Sequence, residues 1–177
     1  MRPRIGNRAP MPPLPTSSAR AIARYLVGLR PVLGDACATR NEWVRRLELL
    51  VEGAHSEDAL RIARRSGSLG REFGQRFRQA RSRIDLLSPP PECDLCHAAV
   101  RAWAHSLLGS CEALAEVGRS GQLDGLRVAQ EQLASARTEG GRFNDECARL
   151  SRRLRRRVQI ARRRRDRLPA SRQVQPS

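Results

Sequence analysis

Apolar residues recur every three or four positions through four long segments of this 177-residue chain. Side chains at this spacing line one face of an α-helix, whereas a half-buried strand alternates at every second position. Three interruptions separate the segments: Gly53 with the polar residues after it, the run SPPP at 88–91, and the stretch GRSGQLDG. A helix cannot continue through consecutive prolines, which lack the backbone donor. The sequence therefore predicts an all-α chain of four helices, and short connections between long helices favour an antiparallel four-helix bundle.

The chain divides into three parts in this prediction. Residues 1–16 are basic and rich in proline, and we expect them to be disordered. Residues 17–154 are expected to form the bundle, as two similar helical hairpins that comprise residues 17–88 and 92–154. Residues 155–177 are an Arg-rich tail, which we expect to begin as a helical extension of the last helix.

The apolar positions of the first two helices define their expected buried faces. In the first helix these positions are Ile22, Leu26, Leu29, Leu33, Cys37, Val44, Leu47 and Val51. In the second helix they are Leu60, Ala63, Gly67, Gly70, Gly74, Phe77, Ile84 and Leu87. Pro31 lies inside the first helix and predicts a kink or a short break there. Ser56 is the expected N-cap of the second helix.

Three glycines, at positions 67, 70 and 74, lie on the expected inner face of the second helix. Glycine in a helix interior costs up to about 1 kcal/mol relative to alanine. Small residues on a buried face let two helix backbones approach closely, and we favour this interpretation. The alternative is a local break of the helix around residues 66–70.

An internal repeat relates the second helix to the fourth. A shift of 66 residues aligns the sequence GQRF at 74–77 with GGRF at 140–143. A single helical hairpin cannot bury its own apolar face, so two related hairpins pack against each other. We therefore expect the second and fourth helices to be equivalent, with Phe77 and Phe143 in matching core positions.

All 34 basic residues of the chain are arginines, and their distribution is uneven. The net charge is +16, of which residues 149–177 contribute +11 through 12 arginines and the single acid Asp166. Arginine stays charged at any pH of interest and binds phosphate or carboxylate through a planar fork. We therefore predict a polyanion-binding site in this segment, with nucleic acid as the preferred ligand. Its residues are Arg152, Arg153, Arg155, Arg156, Arg157, Arg162, Arg163, Arg164, Arg165 and Arg167.

Other interpretations of the basic segment stay open. A solvated extension of the last helix has the same charge pattern. A membrane-surface or envelope-associated protein would also bind anions through it, although the apolar face, formed by Leu154, Val158 and Ala161, is narrow and has no aromatic residue. The helix faces themselves are a further candidate surface, for a protein partner or for self-association.

The sequence from Cys93 through Cys96 to His97 has the C-x-x-C-H spacing of a c-type haem attachment site. A haem- or metal-binding protein is therefore a third hypothesis. Against it, both cysteines lie on the apolar face of the third helix, with His97 at the edge of that face. Free cysteine packs as a small apolar residue, so we expect a packed helix and no cofactor.

The sequence contains no Gly-rich phosphate loop, nucleophile elbow or metalloprotease motif. We therefore expect a non-enzymatic interaction or scaffold protein. The first residues lack the continuous apolar stretch of a signal peptide, which favours a cytoplasmic location. Five cysteines in such a compartment do not indicate a disulfide framework.

Overall fold

The computed structural model describes residues 19–54 and 56–166 of the chain. These residues form four long helices and a short 3₁₀ turn: α1 (Ala19–Gly53), α2 (Ala59–Asp85), the turn (Pro91–Cys93), α3 (Asp94–Ser120) and α4 (Gly125–Asp166). The prediction of an all-α helical bundle is confirmed. The segment expected to be disordered, residues 1–16, lies outside the described residues, as does the end of the tail at 167–177.

Consecutive helices run antiparallel. Between α1 and α2, Arg83 Nη1 lies 2.7 Å from Asp35 Oδ2, and Arg76 Nη1 lies 2.8 Å from Glu42 Oε2, so residue numbers rise on one helix as they fall on the other. Contacts between α3 and α2, and between α3 and α4, also pair rising residue numbers on one helix with falling numbers on the other. Helix α3 packs along both α2 and α4 and is the central helix of the bundle. The start of α1 and the end of α4 therefore lie at the same end of the molecule.

Helices α2 and α3 touch backbone to backbone through their glycines. A Cβ atom added to Gly67 would lie 2.8 Å from Gly118 Cα, and one added to Gly70 would lie 2.5 Å from both the Ala115 nitrogen and the Cys111 carbonyl oxygen. Side chains of any kind would force these helices apart. Helix α2 is continuous through residues 66–70. The close-packing interpretation of the glycines is therefore confirmed, and the alternative of a local break is wrong.

The buried face of α1 is rotated by about one residue from the predicted face. Ile22, Leu29 and Leu47 are buried as predicted. The other buried apolar residues are Tyr25, Val32, Ala36, Trp43 and Leu50. The predicted positions Leu26, Leu33, Val44 and Val51 are only partly buried, and Cys37 is exposed. Helix α1 has apolar residues over a wide arc, and its aromatic residues decide which part of that arc faces the core.

Trp43 shows how an aromatic residue sets this rotation. Its ring is fully buried against Phe73 of α2, with 5.3 Å between the ring centroids. The Arg76 guanidinium lies over the Phe73 ring, 5.0 Å from its centroid, and forms an ion pair with Glu42 of α1. Phe73 was absent from the predicted face of α2. Conversely, Leu60 lies on the predicted face and is 58% exposed.

A groove separates α1 from α4, because these two helices approach each other less closely than neighbours along the chain do. Its volume is about 540 Å³. Leu33 of α1, Val100 and Trp103 of α3, and Phe143 of α4 contribute its apolar lining. The groove therefore contains part of the α1 face that the sequence predicted to be buried.

The internal repeat is visible in the structure, with one difference. Helices α2 and α4 begin at residues 59 and 125, which are 66 positions apart. Gly74 and Gly140 both face α3, where an added Cβ would contact Cys111 and Trp103 respectively. Phe77 is buried in the core, whereas Phe143 is partly buried and lines the groove. The prediction of matching core positions for the two phenylalanines is therefore wrong, because α1 covers α4 incompletely.

Two local predictions also need correction. The N-cap of α2 is Asp58, whose carboxylate accepts a hydrogen bond from the Arg61 backbone N–H at 3.2 Å, and not Ser56. Aspartate at this position places a negative charge at the positive end of the helix dipole. Helix α1 continues through Pro31, which is exposed, so of the predicted kink or short break the break is wrong.

The glycine contact leads to a stability prediction. Replacing Gly70 by alanine should lower the free energy of unfolding by roughly 1–3 kcal/mol, since the added methyl group meets the backbone of α3. Gly141 is the matched control, because it is an exposed helical glycine with open space around its Cα. Gly141→Ala should raise the free energy of unfolding by up to about 1 kcal/mol. Urea unfolding followed by circular dichroism measures both, and a shift of the same sign in the two variants would contradict the contact.

Candidate functional site

Helix α4 extends beyond the helices on which it packs. Its 42 residues span about 63 Å, whereas the 27 residues of α3 span about 40 Å. Leu150 is the last buried residue among the described positions of α4, and Leu154 is partly buried. Beyond Leu154, Val158 and Ile160 are exposed although they are apolar. The described end of α4 is therefore a helical extension that leaves the core.

Five of the ten predicted binding residues have exposed side chains on this extension. They are Arg152, Arg153, Arg155, Arg156 and Arg163. The side chains of Arg162, Arg164 and Arg165, and the whole of Arg167, lie outside the described part of the structure.

The geometry of the helix places these five exposed arginines on one side. At 100° per residue they lie within an arc of about 160°, whose centre is opposite Leu154. Leu154 packs against the hydrophobic core, so the arginines face away from the bundle. They extend over about 16 Å of helix axis. One side of α4 thus presents a continuous cationic surface to solvent.

Arg157 differs from the five exposed arginines. Its Nη2 lies 3.4 Å from Glu92 Oε1, and the Glu92 side chain is only 13% exposed. This ion pair connects the extension to the 3₁₀ turn before α3. Arg157 therefore holds the extension against the bundle, while its neighbours remain exposed.

Arginines in the body of the bundle are largely matched by acids. Beyond the pairs of α1 with α2, Arg101 Nε lies 2.6 Å from Asp85 Oδ1, and Arg149 Nη2 lies 2.5 Å from Glu146 Oε2. After Glu146 the sequence has one further acid, Asp166. The extension therefore has a local excess of positive charge that the body does not share.

The start of α1 adds to the same cationic end of the molecule. Arg20 and Arg24 are exposed, and antiparallel packing brings the start of α1 to the end where α4 terminates. Sequence reasoning did not assign these residues to the site. The signal was present, since residues 19–34 contain three arginines and no acid, but only the topology joins the two segments.

The Cys-x-x-Cys-His segment lies at the start of α3, inside the bundle. Cys93 and Cys96 are fully buried, and His97 is buried next to Tyr25 of α1. The Tyr25 hydroxyl is 3.1 Å from His97 Nδ1, and the two rings meet edge to face. Among the described residues, no three His, Cys, Asp or Glu side chains are arranged to hold a metal ion. The histidine thus packs against a tyrosine in the core.

Burial sets the protonation of these groups. The pKa of His97 is lowered because burial disfavours the charged imidazolium, and the Arg101 guanidinium lowers it further. The pKa of Tyr25 is raised by burial first and by the neighbouring cysteines second. Both rings are therefore neutral near pH 7.

Comparisons of the chain with protein-family models, with curated proteins and with solved structures find no significant match. No helix within residues 19–54 and 56–166 is long and apolar enough to cross a membrane. A functional proposal for this chain therefore rests on its physical properties.

The neutral His97 predicts an acid-sensitive fold. The unfolded chain binds a proton at the ordinary pKa of 6.5, while the folded chain binds it only at lower pH. Stability that is present above pH 6.5 is therefore lost as the pH falls through the lowered pKa. We expect the urea concentration at the unfolding midpoint to decrease as the pH is lowered from about 7 to about 5. His97→Gln should reduce this dependence on pH.

His105 provides the matched control on the same helix. It is exposed, and its Nδ1 lies 3.4 Å from Arg81 Nη1. The acid dependence that is attributed to His97 should persist in His105→Gln. An unaltered dependence in His97→Gln would show that His97 is not the group responsible.

Proposed function

We propose that this protein is a non-enzymatic helical-bundle scaffold that binds a polyanion, namely nucleic acid, through the end of α4. The observation that carries the proposal is the set of five exposed arginines that face away from the bundle, in a segment with no acid between Glu146 and Asp166. The proposal includes a cytoplasmic location and no cofactor.

Phosphate neutralisation explains how such a surface binds. Nucleic acid is surrounded by condensed counterions, and arginines that replace them release those ions into solution. The planar guanidinium also forms paired hydrogen bonds with phosphate oxygens, which a point charge does not. Exposed arginines along one face of a helix therefore fit a phosphate backbone better than they fit an isolated carboxylate.

The same surface argues for binding that does not depend on base sequence. The extension contains no aromatic residue on which bases of a single strand would stack. Contacts to phosphate fix position and carry no sequence information. We therefore infer that the preferred ligand is duplex nucleic acid and that affinity varies little with its sequence.

The bundle contributes a rigid base for this surface. Leu150 is fully buried, Leu154 packs against the core, and Arg157 is bound to Glu92. The cationic side of α4 is thereby held in one orientation. Less conformational entropy is lost on binding when the charges are already aligned.

The test measures duplex DNA binding across a salt series. For six to ten phosphate contacts, affinity should fall by about 10³ to 10⁵ between about 50 and 200 mM salt. A variant with Arg152, Arg153, Arg155 and Arg156 changed to Gln should reduce the slope of log K against log salt by up to about 3.6. Deletion of residues 152–177 should abolish binding and leave the helical circular dichroism of the bundle.

A second quadruple variant controls for net charge. Arg45, Arg46, Arg64 and Arg71 are exposed residues of α1 and α2 away from the end of α4. Their replacement by Gln removes the same charge and should leave most of the affinity. Equal losses in the two quadruple variants would contradict a localised site, and tight binding to anionic phospholipid vesicles without binding to DNA would favour the membrane-surface alternative.

A further inference from the structure

Two cysteines on different helices have their sulfur atoms in contact. Cys96 lies in the first turn of α3 and Cys147 lies on α4, and their Sγ atoms are 3.3 Å apart. Both are thiols in this structure. They are 51 residues apart along the chain. The contact is therefore a product of the antiparallel packing of α3 and α4.

We propose that Cys96 and Cys147 are a redox-active thiol pair, which closes into a reversible inter-helix disulfide by exchange with a low-molecular-weight disulfide such as oxidised glutathione. A disulfide needs an S–S distance of about 2.05 Å, so the two sulfurs have to approach by about 1.3 Å. Helix backbones that already bring the side chains into contact make this a small movement. This inference does not depend on nucleic-acid binding.

The environments of the two thiols assign them different roles. Cys147 is partly exposed, whereas Cys96 is fully buried. The hydrogen bond between the two sulfurs lowers the pKa of Cys147, and the same hydrogen bond, together with burial, raises the pKa of Cys96. Thiolate is the reactive form of cysteine. Cys147 is therefore the attacking group and Cys96 the resolving group.

The exchange proceeds in two balanced steps. Cys147 first gives its proton to water, and its thiolate attacks one sulfur of the small disulfide, so a mixed disulfide forms, the original S–S bond breaks and one thiolate leaves. The Cys96 thiol then gives its proton to that thiolate and attacks the Cys147 sulfur. The Cys96–Cys147 bond forms and the second thiolate leaves, taking a proton from water. Two protein thiols are oxidised, and one small disulfide is reduced to two thiols.

The other cysteines are less suited to this chemistry. Burial and the neighbouring Glu92 raise the pKa of Cys93 to about 11, which keeps it protonated. Burial likewise raises the pKa of Cys111 in the core. Cys37 is exposed on α1, and partial burial of its thiol raises its pKa too. Cys147 differs from all three in having a lowered pKa.

The position of the bond gives it a structural consequence. Cys147 lies three residues before Leu150, the last buried residue of α4 before the basic extension. A bond to Cys96 joins the start of α3 to α4 at this level. Oxidation would therefore fix the base of the extension to the central helix of the bundle.

Peptide mass spectrometry of the full-length protein tests the pair. The reduced protein is treated with millimolar oxidised glutathione, blocked with an alkylating agent and digested with trypsin. We expect a cross-link between the tryptic peptides 84–101 and 143–149 that dithiothreitol reverses. The cross-linked species should be about 2 Da lighter than the sum of the two peptides with Cys93 alkylated. The first of these peptides contains both Cys93 and Cys96, so single variants identify the partner.

Cys93→Ser is the matched control, since Cys93 is buried on the same peptide. It should retain the cross-link, Cys147→Ser should lose it, and Cys96→Ser should stop at glutathione attached to Cys147. Circular dichroism verifies that each variant is helical. If Cys96→Ser fails to fold, Cys147→Ser still tests the pair, because Cys147 is partly exposed and tolerates serine. A wild-type protein that stays reduced or that stops at the mixed disulfide would overturn the proposal, and so would a cross-link that persists in Cys96→Ser.

Discussion

The backbone contact between α2 and α3 is the constraint on which the rest of the bundle depends. Gly67 and Gly70 on one helix meet Gly118 and the Cys111–Ala115 backbone on the other with no side chain between them. Such a contact fixes the axial position of one helix on the other, because only one alignment brings the glycines together. Once α3 is fixed on α2, its opposite face is available for α4. The positions of Cys96, His97 and Trp103 on α3 follow from this alignment.

Helix α1 is attached by a different kind of interaction. Its aromatic residues pack into the bundle at two levels, with Trp43 against Phe73 and Tyr25 against His97. These bulky contacts hold α1 on the side of α2 and α3, and they leave the groove beside α4 incompletely filled. This difference in packing explains why the repeated helices α2 and α4 have different surroundings, with Phe77 buried and Phe143 at the groove.

Electrostatics separates the molecule into a balanced body and an unbalanced end. Pairs such as Arg83 with Asp35 and Arg101 with Asp85 are exposed, and each contributes little to stability. Their effect is to lower the net charge of the body. The end of α4 has no comparable supply of acids along its own sequence, and Glu92 of the 3₁₀ turn forms an ion pair with Arg157. The resulting charge contrast is the physical basis of the proposed polyanion binding.

Much of the helical architecture follows from the sequence, because periodicity and helix-breaking residues are local properties. The prolines at 89–91 end the second helical segment, and the apolar spacing predicts which face of α3 contains Cys96. The clustering of arginines between 152 and 167 likewise needs no structure to be recognised. The composition of the candidate site could therefore be predicted, although its orientation could not.

Tertiary packing decided the features that join distant parts of the chain. The rotation of α1 follows from the packing of Trp43 and Tyr25. Apolar residues cover a wide arc of this helix, so its sequence alone does not define one buried face. The exposure of Leu60 follows from the rotation of α2 toward Phe73. Cys96 lies on the apolar face that the sequence predicts for the third helix, but contact between its sulfur and that of Cys147 depends on the axial alignment of α3 with α4. Alignment is a property of pairs of helices, and the sequence of each helix alone does not contain it.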